Sequence, residues 1–321
     1  MILSSLPLPV ASHPTFDIHD ASKVQEFMDC PRKYFYRYVL GLTLETTNHH
    51  LVFGQAFHKA MEILLRKGYN KEALQEAFTA FMKLYRSQCG PETDDQNAPK
   101  TPENALIALD EYIRLYQPFD NFKVLHTEIA GSVTVSEGRQ AHFRIDAILE
   151  DDRWIFALDH KTTKSVANRQ WKDQWTLSMQ MGLYTHVLYC LYDPSKVFGV
   201  KVNGIGLQKT KVDFERVPVR KTPETMQAWL WNFNHFLDMI EQEFQRLGES
   251  RPSDVVMQAF PQNTQSCTKY FGCPYLDLCQ YQTNPLRHLN ESVAGFTTEW
   301  WDPRENDKDA TETVDLTEGM K

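Results

Sequence analysis

Two carboxylates and a lysine occur in this sequence at a spacing that could hold a divalent cation beside an ammonium group. Asp146 lies in a segment of alternating polarity, and Asp159 and Lys161 directly follow the apolar stretch 154–158. Side chains two residues apart in a strand share one face, and a neighbouring strand can bring Asp146 to the same end of a sheet. Carboxylate oxygens are hard ligands that suit Mg²⁺ or Mn²⁺. These residues therefore predict a metal site where two strands end.

Such a group of side chains is suited to phosphodiester hydrolysis. A bound metal ion polarises a phosphate oxygen and lowers the pKa of a bound water, while a lysine positions that water or stabilises the developing charge. An Asp-x-Lys tripeptide on its own is more often a surface ion pair. The choice between these two interpretations depends on the elements that would position the three side chains.

The sequence before Pro118 has the periodicity of helices. Ser22 is the predicted cap of a first helix that continues through Tyr34 and Tyr38. Three more helices are predicted, around 53–64, at 71–87 and from Thr101 onward.

After Pro118 the apolar period changes to two. This alternation predicts strands at 122–135, 141–149 and 154–158. A helix at 177–191, a strand at 197–207 and a long helix capped by Thr222 are predicted to follow. The order predicts an α/β fold with a central mixed sheet flanked by helices and a helical N-terminal half.

Charge is unevenly distributed along the chain. The formal net charge is -8, which argues weakly against a polyanionic partner, although a local basic groove can exist on an acidic protein. Between Glu299 and Lys321 there are eight acidic and three basic residues. We expect this tail to be a solvated, disordered end; a docking peptide or a mimic of nucleic acid is the alternative.

Neither export nor membrane insertion is indicated by the apolar segments. Residues 1–13 contain no Lys or Arg, and no segment approaches the roughly eighteen apolar residues that a membrane span needs. We therefore expect a cytoplasmic protein that does not contact membranes.

Four of the six cysteines have the spacing of metal ligands. Cys267, Cys273 and Cys279 are separated by five residues each, and Cys30 stands before a proline near the N-terminus. Thiols are kept reduced inside cells, so ligands or buried thiols are expected rather than disulfides. Tetrahedral zinc sites usually have tighter cysteine pairs, so these gaps favour an iron-sulfur cluster and leave zinc open. The other two, Cys89 and Cys190, are expected to be ordinary thiols.

Four motifs together resemble the RecB-type nuclease family of the PD-(D/E)XK superfamily, which includes the AddB nuclease domains and the CRISPR-associated exonucleases. They occur in the family's order: Gly54 to His58 in a helix, then Asp146, then Asp159-His160-Lys161, then Gln180 to Tyr184 in a helix. The resemblance extends from Lys23 to Cys279 and implies a restriction-endonuclease-like core.

The resemblance also implies roles for these residues. His58, Asp146 and Asp159 would bind Mg²⁺ or Mn²⁺, helped by the backbone carbonyl of His160, and Lys161 would be the catalytic base or would orient the water. Glu128 is a further candidate catalytic carboxylate, with an exposed strand carboxylate as its alternative.

The candidate DNA contacts follow the site along the chain. The resemblance implies that Gln180 and Tyr184 contact the site or the DNA strand, with helix packing as the alternative for Tyr184. Bases and aromatic rings that alternate after the site suit a single strand, although a solvated loop with two core tryptophans is equally compatible. These residues are Lys164, Arg169, Lys172, Trp171 and Trp175.

Several members of the family carry one N-terminal cysteine and a C-terminal trio that hold a [4Fe-4S] cluster. Here these would be Cys30 and the trio from Cys267 to Cys279. The trio of familiar members often begins with a two-residue gap, whereas five residues separate Cys267 from Cys273 here. This departure keeps zinc open as the alternative.

The resemblance also predicts the organisation of the chain. Residues 1–20 would be an N-terminal extension and 286–321 an acidic tail. The nuclease domain would span 21–285, divided into a helical portion at 21–118, a catalytic core at 119–248 and a cysteine segment at 249–285 joined by Cys30.

The predicted function is metal-dependent hydrolysis of DNA, most simply by an exonuclease that acts on single strands or frayed ends in recombination, repair or phage DNA processing. The alternative is a DNA-binding or accessory subunit that needs a helicase, recombinase or integrase partner. No phosphate-binding G-x-x-x-x-G-K-[ST] segment occurs in the sequence, so a motor would be another chain.

Overall fold

The structure, a computed structural model, describes residues 2–269 and 272–317. The α-helices are α1 Ala21–Asp29, α2 Pro31–Tyr34, α3 His49–Lys67, α4 Lys71–Arg86, α5 Asp94–Asn97, α6 Pro102–Tyr116, α7 Arg169–Asp173, α8 Met179–Leu191, α9 Pro223–Glu249 and α10 Leu276–Tyr281. The strands are β1 Leu42–Leu44, β2 Lys123–Ser136, β3 Arg139–Glu150, β4 Ile155–Thr163, β5 Val197–Leu207, β6 Val212–Val219, β7 Phe296–Thr298 and β8 Glu312–Leu316.

A six-stranded sheet organises the chain, in the order β6-β5-β4-β3-β2-β8. The β4–β5 and β2–β8 pairs are parallel and the other pairs are antiparallel. On β5, Val200 and Val202 join the core formed with α8 and α9, whereas Ile205 and Leu207 join the core formed with α3, α4 and α6. Residues of opposite parity face opposite sides of a strand, so helices cover both faces of the sheet. This confirms the predicted α/β class with a mixed central sheet.

The first predicted helix is broken at Cys30. Helix α1 ends at Asp29, Cys30 adopts an extended conformation with φ -163°, and Pro31 begins α2. A residue before proline is disfavoured in the helical region, which explains the break. The predicted cap is also wrong, because the carboxylate of Asp20, not the hydroxyl of Ser22, accepts a hydrogen bond from a first-turn amide at 2.7 Å.

Strand β4 is longer than its apolar segment predicts. The predicted strand covered residues 154–158, but pairing with β5 continues to the pair Thr163–Gly206. The antiparallel ladder between β3 and β4, in contrast, stops at the pair Ala147–Leu158. The two strands therefore separate at Asp146 and Asp159, the residues next to this last pair.

The acidic tail contributes a strand, which corrects the expectation of a disordered end. Strand β8 pairs in parallel with residues 129–133 of β2. Gly131 makes this approach feasible, because a Cβ there would lie 1.9 Å from the carbonyl oxygen of Val314. Backbone pairing needs no run of apolar residues, so the composition of the tail gave no sign of it.

Residues 1–20, the predicted extension, contribute Leu3 and Phe16 to the main core. Among the helices of the described ranges, none is both long and apolar enough to cross a lipid bilayer.

Candidate active site

Asp146 occupies the gap between the separating strands β3 and β4. Its Oδ2 accepts a hydrogen bond from the backbone N–H of His160 at 2.8 Å. Because the β3–β4 ladder has ended, the carboxylate takes the place of a strand carbonyl as the partner of this buried amide. Continuing the register of the ladder would set Asp146 opposite Asp159, so the separation brings both carboxylates to one place.

Helix α3 brings His58 to this gap. Its Nδ1 lies 3.3 Å from Oδ1 of Asp146. Burial lowers the pKa of His58, but the charge of Asp146 outweighs burial and raises this pKa to about 9. Burial alone would raise the pKa of Asp146, yet His58 holds it well below its usual range. The two side chains form an ion pair.

Asp159 and Lys161 form a second ion pair on the neighbouring strand. The Lys161 ammonium lies 2.9 Å from Oδ2 and 3.1 Å from Oδ1 of Asp159. Asp159 is 1% exposed. Burial raises its pKa to about 6, and the charge of Asp146 adds to this increase while Lys161 opposes it. Asp159 and Lys161 point to the same face of β4, as predicted.

Glu128 faces the site from β2. It lies between Thr127 and Ile129, which pair with Ala147 and Ile145 on β3, so it sits across the ladder from Asp146. Its backbone has φ 48°, a conformation that costs a non-glycine residue about 1–3 kcal/mol. Backbone strain of this kind concentrates at functional sites.

The Glu128 carboxylate is buried rather than exposed, contrary to the alternative considered for it. It accepts a hydrogen bond from Nε of Arg144 at 2.9 Å. Burial and then the charge of Asp146 raise its pKa to about 7, against the opposing effect of Arg144. A third carboxylate thus shares the electrostatic environment of the first two.

A polar network behind the site fixes His160, which points to the face of β4 opposite Asp159. Its Nδ1 accepts a hydrogen bond from Nδ2 of Asn203 on β5 at 2.8 Å. Burial lowers the pKa of His160 to about 3, so the ring is neutral. Asn203 Oδ1 accepts from Nε of Arg216 at 3.2 Å, and both guanidinium NH₂ groups of Arg216 donate to Asp120.

Sequence reasoning did not single out Asn203, Arg216 or Asp120. Arg216 belongs to β6, whose side chains are mostly half-buried and which was not predicted as a strand. The available signal was the polar Asn203 within an otherwise apolar strand, because a fully buried amide needs hydrogen-bonding partners.

Helix α8 carries the predicted Gln180 and Tyr184. Gln180 donates a hydrogen bond to the Tyr184 hydroxyl at 2.9 Å, and this hydroxyl donates to the carbonyl of Arg144 at 2.5 Å. Tyr184 is buried, with 4% of its surface exposed. The pair therefore fastens α8 to β3 beside Asp146, and Gln180 remains half-buried at the edge of the site.

The two tryptophans that follow β4 differ in their environments. Trp171 is buried against Gly204, where a Cβ would lie 2.1 Å from the indole, so it is a core residue. Trp175 is half-buried, and the Lys161 ammonium lies 5.9 Å from the centroid of its ring. Lys164 is exposed just beyond the end of β4. Trp175 and Lys164 thus border the site.

The four predicted ligand cysteines line one cavity of about 260 Å³. Asn263 donates its backbone N–H to Cys30 Sγ at 3.4 Å, and Cys273 donates its backbone N–H to the carbonyl of Cys267 at 2.9 Å. Burial, together with the other three cysteines of the group, raises the pKa of Cys279 to about 11. The structure therefore brings together thiols that are far apart in sequence.

Arg32 shows how the cysteine segment is held against the N-terminal half. Its Nε donates to the carbonyl of Phe260 at 2.8 Å, and its backbone N–H donates to the carbonyl of Pro261 at 3.1 Å. Because Cys30 lies only two residues before Arg32, these bonds also hold Cys30 near the other three cysteines.

The donor set at Asp146 fits a hard divalent cation, although within residues 2–269 and 272–317 no three His, Cys, Asp or Glu side chains converge closely enough to hold a metal ion. His58 and Lys161 instead neutralise the carboxylates of Asp146 and Asp159. Burial and the charge of Asp146 raise the pKa values of both Asp159 and Glu128, and such a group of buried, interacting carboxylates is typical of a cation site. Carboxylate oxygens suit Mg²⁺ and Mn²⁺, and an imidazole nitrogen beside them favours Mn²⁺.

Comparison with protein families gives one match: the model of the PD-(D/E)XK nuclease superfamily matches residues 21–280. The chain belongs to this superfamily, whose nucleases generally use Mg²⁺ or Mn²⁺. No curated protein matches the chain. Among solved structures, that titled "Crystal structure of SSO0001" is 12% identical and covers 67% of this chain and 82% of its own, with a TM-score of 0.25.

Proposed function

We propose that this member of the PD-(D/E)XK nuclease superfamily is a metal-dependent DNA exonuclease that hydrolyses phosphodiesters at single-stranded or frayed ends, in recombination, repair or phage DNA processing. The observation that carries the proposal is the convergence of Asp146, Asp159, Lys161 and His58 where β3 and β4 separate. The exonuclease assignment is also supported by the resemblance of the motifs to the RecB-type family.

His58, Asp146 and Asp159, with the backbone carbonyl of His160, are the residues we assign to the metal. When bound, the cation supplies Lewis-acid polarisation of the phosphate and a water of lowered pKa. To bind it, His58 must give up the proton that its ion pair with Asp146 retains. Lys161 must likewise loosen its contact with Asp159, which frees its ammonium to face the substrate.

Lys161 is then placed to orient the attacking water or to stabilise charge on the phosphate. Its position is fixed by β4, which is paired with β5 well past this residue, and a rigid strand limits the reorganisation needed in the transition state. Glu128, held by Arg144, is a further carboxylate that we assign to catalysis.

We assign the contacts with the DNA strand to residues at the border of the site. Trp175 offers a half-buried aromatic ring beside Lys161, and exposed Lys164 offers a cation for a phosphate. A ring and cations together suit a flexible single strand. Gln180 contacts the strand at the edge of the site, and Tyr184 positions Gln180.

We also propose that Cys30, Cys267, Cys273 and Cys279 hold a [4Fe-4S] cluster. The support is that these four side chains line one cavity and are reduced thiols in the structure. Phosphodiester hydrolysis transfers no electron, so the role of the cluster is structural: it ties the N-terminal half to the cysteine segment.

Incubation of the purified protein with end-labelled DNA tests the proposed activity. Linear single strands, linear duplexes and covalently closed circles are compared in Mg²⁺, in Mn²⁺ and in a chelator. We expect metal-dependent release of short products from linear single strands and none from circles. Cleavage of closed circles would contradict the exonuclease assignment, and the absence of cleavage with either metal would contradict the proposed function.

A further inference from the structure

Lys100 is a half-buried cation that forms no ion pair with a carboxylate of the described residues. Its ammonium lies 3.3 Å from Oγ1 and 3.4 Å from the carbonyl oxygen of Thr162, and 5.7 Å from the ring centroid of Phe53. Lys161 and Lys172, in contrast, pair with carboxylates at 2.9 and 2.6 Å. A buried charge that lacks a counter-ion is costly, which points to an anion that is bound during function.

The position of Lys100 relates it to the proposed active site. Thr162 directly follows Lys161 on β4 and lies on the face of that strand that α3 covers. Gly54 of α3 approaches Thr162 so closely that a Cβ there would lie 3.8 Å from Oγ1. One turn further along α3 is His58, which contacts Asp146. Lys100 and His58 therefore border the same end of β4.

The charge of Lys100 also affects the pKa values of neighbouring side chains. Burial lowers the pKa of Lys100 to about 8, and no carboxylate of the described residues opposes this effect. His49 and His50, in the first turn of α3, have pKa values lowered by burial and, in addition, by Lys100. Two neutral imidazoles beside one uncompensated ammonium form a surface that accepts an anion without an acidic competitor.

We propose that Lys100 binds a backbone phosphate of the DNA strand next to the phosphate that is hydrolysed. The inference rests on the proposed nuclease function, because it assigns the anion to the strand whose neighbouring phosphate lies at Asp159. The ligand is a phosphodiester, which every nucleotide carries, so the contact positions the strand without selecting a sequence.

Salt dependence of DNA binding tests this contact. In the Asp159→Asn background, which prevents turnover, a fluorescent single-stranded oligonucleotide is titrated with protein in Mg²⁺ at several NaCl concentrations. Each lost phosphate contact lowers the slope of log K against log salt by about 0.7 for single strands. We expect Lys100→Met to bind more weakly with a slope lower by about 0.7, and Lys100→Arg to retain the slope.

Lys83→Met is the matched control, because Lys83 is an exposed lysine on α4. It should leave the slope unchanged. Lys100→Met should remain folded, since it replaces a half-buried cation by an apolar side chain of similar length; circular dichroism checks this.

Neutral methylphosphonate linkages provide a second measurement. The neutral linkages are placed one at a time along the oligonucleotide. At one position, the neutral linkage should weaken binding to the protein that has Lys100 but should not further weaken binding to Lys100→Met. The inference is overturned if Lys100→Met and Lys83→Met give the same slope while DNA is bound, or if no position shows this non-additivity. Absence of all DNA binding would contradict the proposed function and the inference with it.

Discussion

At the scale of single residues, the site buries three carboxylates, each of which is paired with one cation: Asp146 with His58, Asp159 with Lys161 and Glu128 with Arg144. Asp146 stays ionised because it faces His58, whereas Asp159 and Glu128 have raised pKa values because each is buried near Asp146. Burying three carboxylates close together is unfavourable, and binding of a divalent cation would offset this cost. The assignment of the metal ligands therefore predicts a coupling between metal binding and protons.

We predict that Mg²⁺ affinity increases with pH between about 6 and 9. The pKa values of Asp159, Glu128 and His58 are raised to about 6, 7 and 9, so each group must lose a proton before the cation can take its place. Titration calorimetry at pH 6.5 and 8.5, in two buffers of different ionisation enthalpy, measures both affinity and proton release. Equal affinities at the two pH values, with no release of protons, would contradict the ligand assignment.

At the scale of the elements, the sequence predicted the strands better than the place where their pairing ends. Alternation located β2 and β3, and an apolar run located the start of β4. The register at which β3 and β4 separate depends on Asp146 accepting the amide of His160, a bond between residues of different strands that no local pattern reveals. The types of the site residues were therefore predictable, but their geometry was not.

The Asn203 network gives a prediction at this scale. Asn203→Leu should lower stability by about 1–3 kcal/mol, because it leaves His160 Nδ1 and the Nε of Arg216 without a partner. It should lower turnover as well, since His160 adjoins Asp159 and Lys161. Urea unfolding and cleavage rates measure the two effects.

Tyr69→Phe is the control for this network. The Tyr69 hydroxyl donates to Asp120 at 2.8 Å, at the end of the network farthest from His160. We expect a smaller loss of stability and an unchanged turnover. If Asn203→Leu lowers stability but leaves turnover at the wild-type value, Asn203 supports only the fold.

At the scale of the whole molecule, the tail supports the site from the edge of the sheet. The backbone N–H of Thr311 donates to the carbonyl of Glu128 at 3.0 Å, and β8 covers the edge of β2 immediately afterwards. These bonds help to hold Glu128 in its positive-φ conformation. Composition could not predict this contact, because the tail acts through its backbone.

Truncation tests the role of the tail. A chain that ends at Ala310 should unfold at a lower temperature and require more Mg²⁺ for cleavage, because Glu128 loses the partner of its carbonyl. A chain that ends at Thr317 retains β8 and serves as the control. Identical melting temperatures and metal requirements in the two truncated chains would show that β8 contributes nothing to the site.

The proposed cluster closes a long loop of the chain, from Cys30 to Cys267 with 236 residues between them. By analogy with a disulfide, closing so long a loop stabilises the fold by about 5 kcal/mol. Purified protein should be brown and contain iron and acid-labile sulfide. Cys273→Ala should be colourless and sensitive to proteases at both ends, whereas Cys190→Ala, outside the cavity, should resemble the wild type. One zinc and no iron in the wild type would refute the cluster.

We infer that Asp159, with the metal it helps to hold, performs the hydrolysis. The most direct measurement compares the Mg²⁺-dependent cleavage rates of the wild type, Asp159→Asn and the control Asp110→Asn, whose carboxylate pairs with Arg114 on the surface of α6. We predict that Asp159→Asn loses about a factor of 100–1,000 in rate while its circular dichroism is unchanged, and that Asp110→Asn cleaves normally. Cleavage by Asp159→Asn at the wild-type rate would contradict the account.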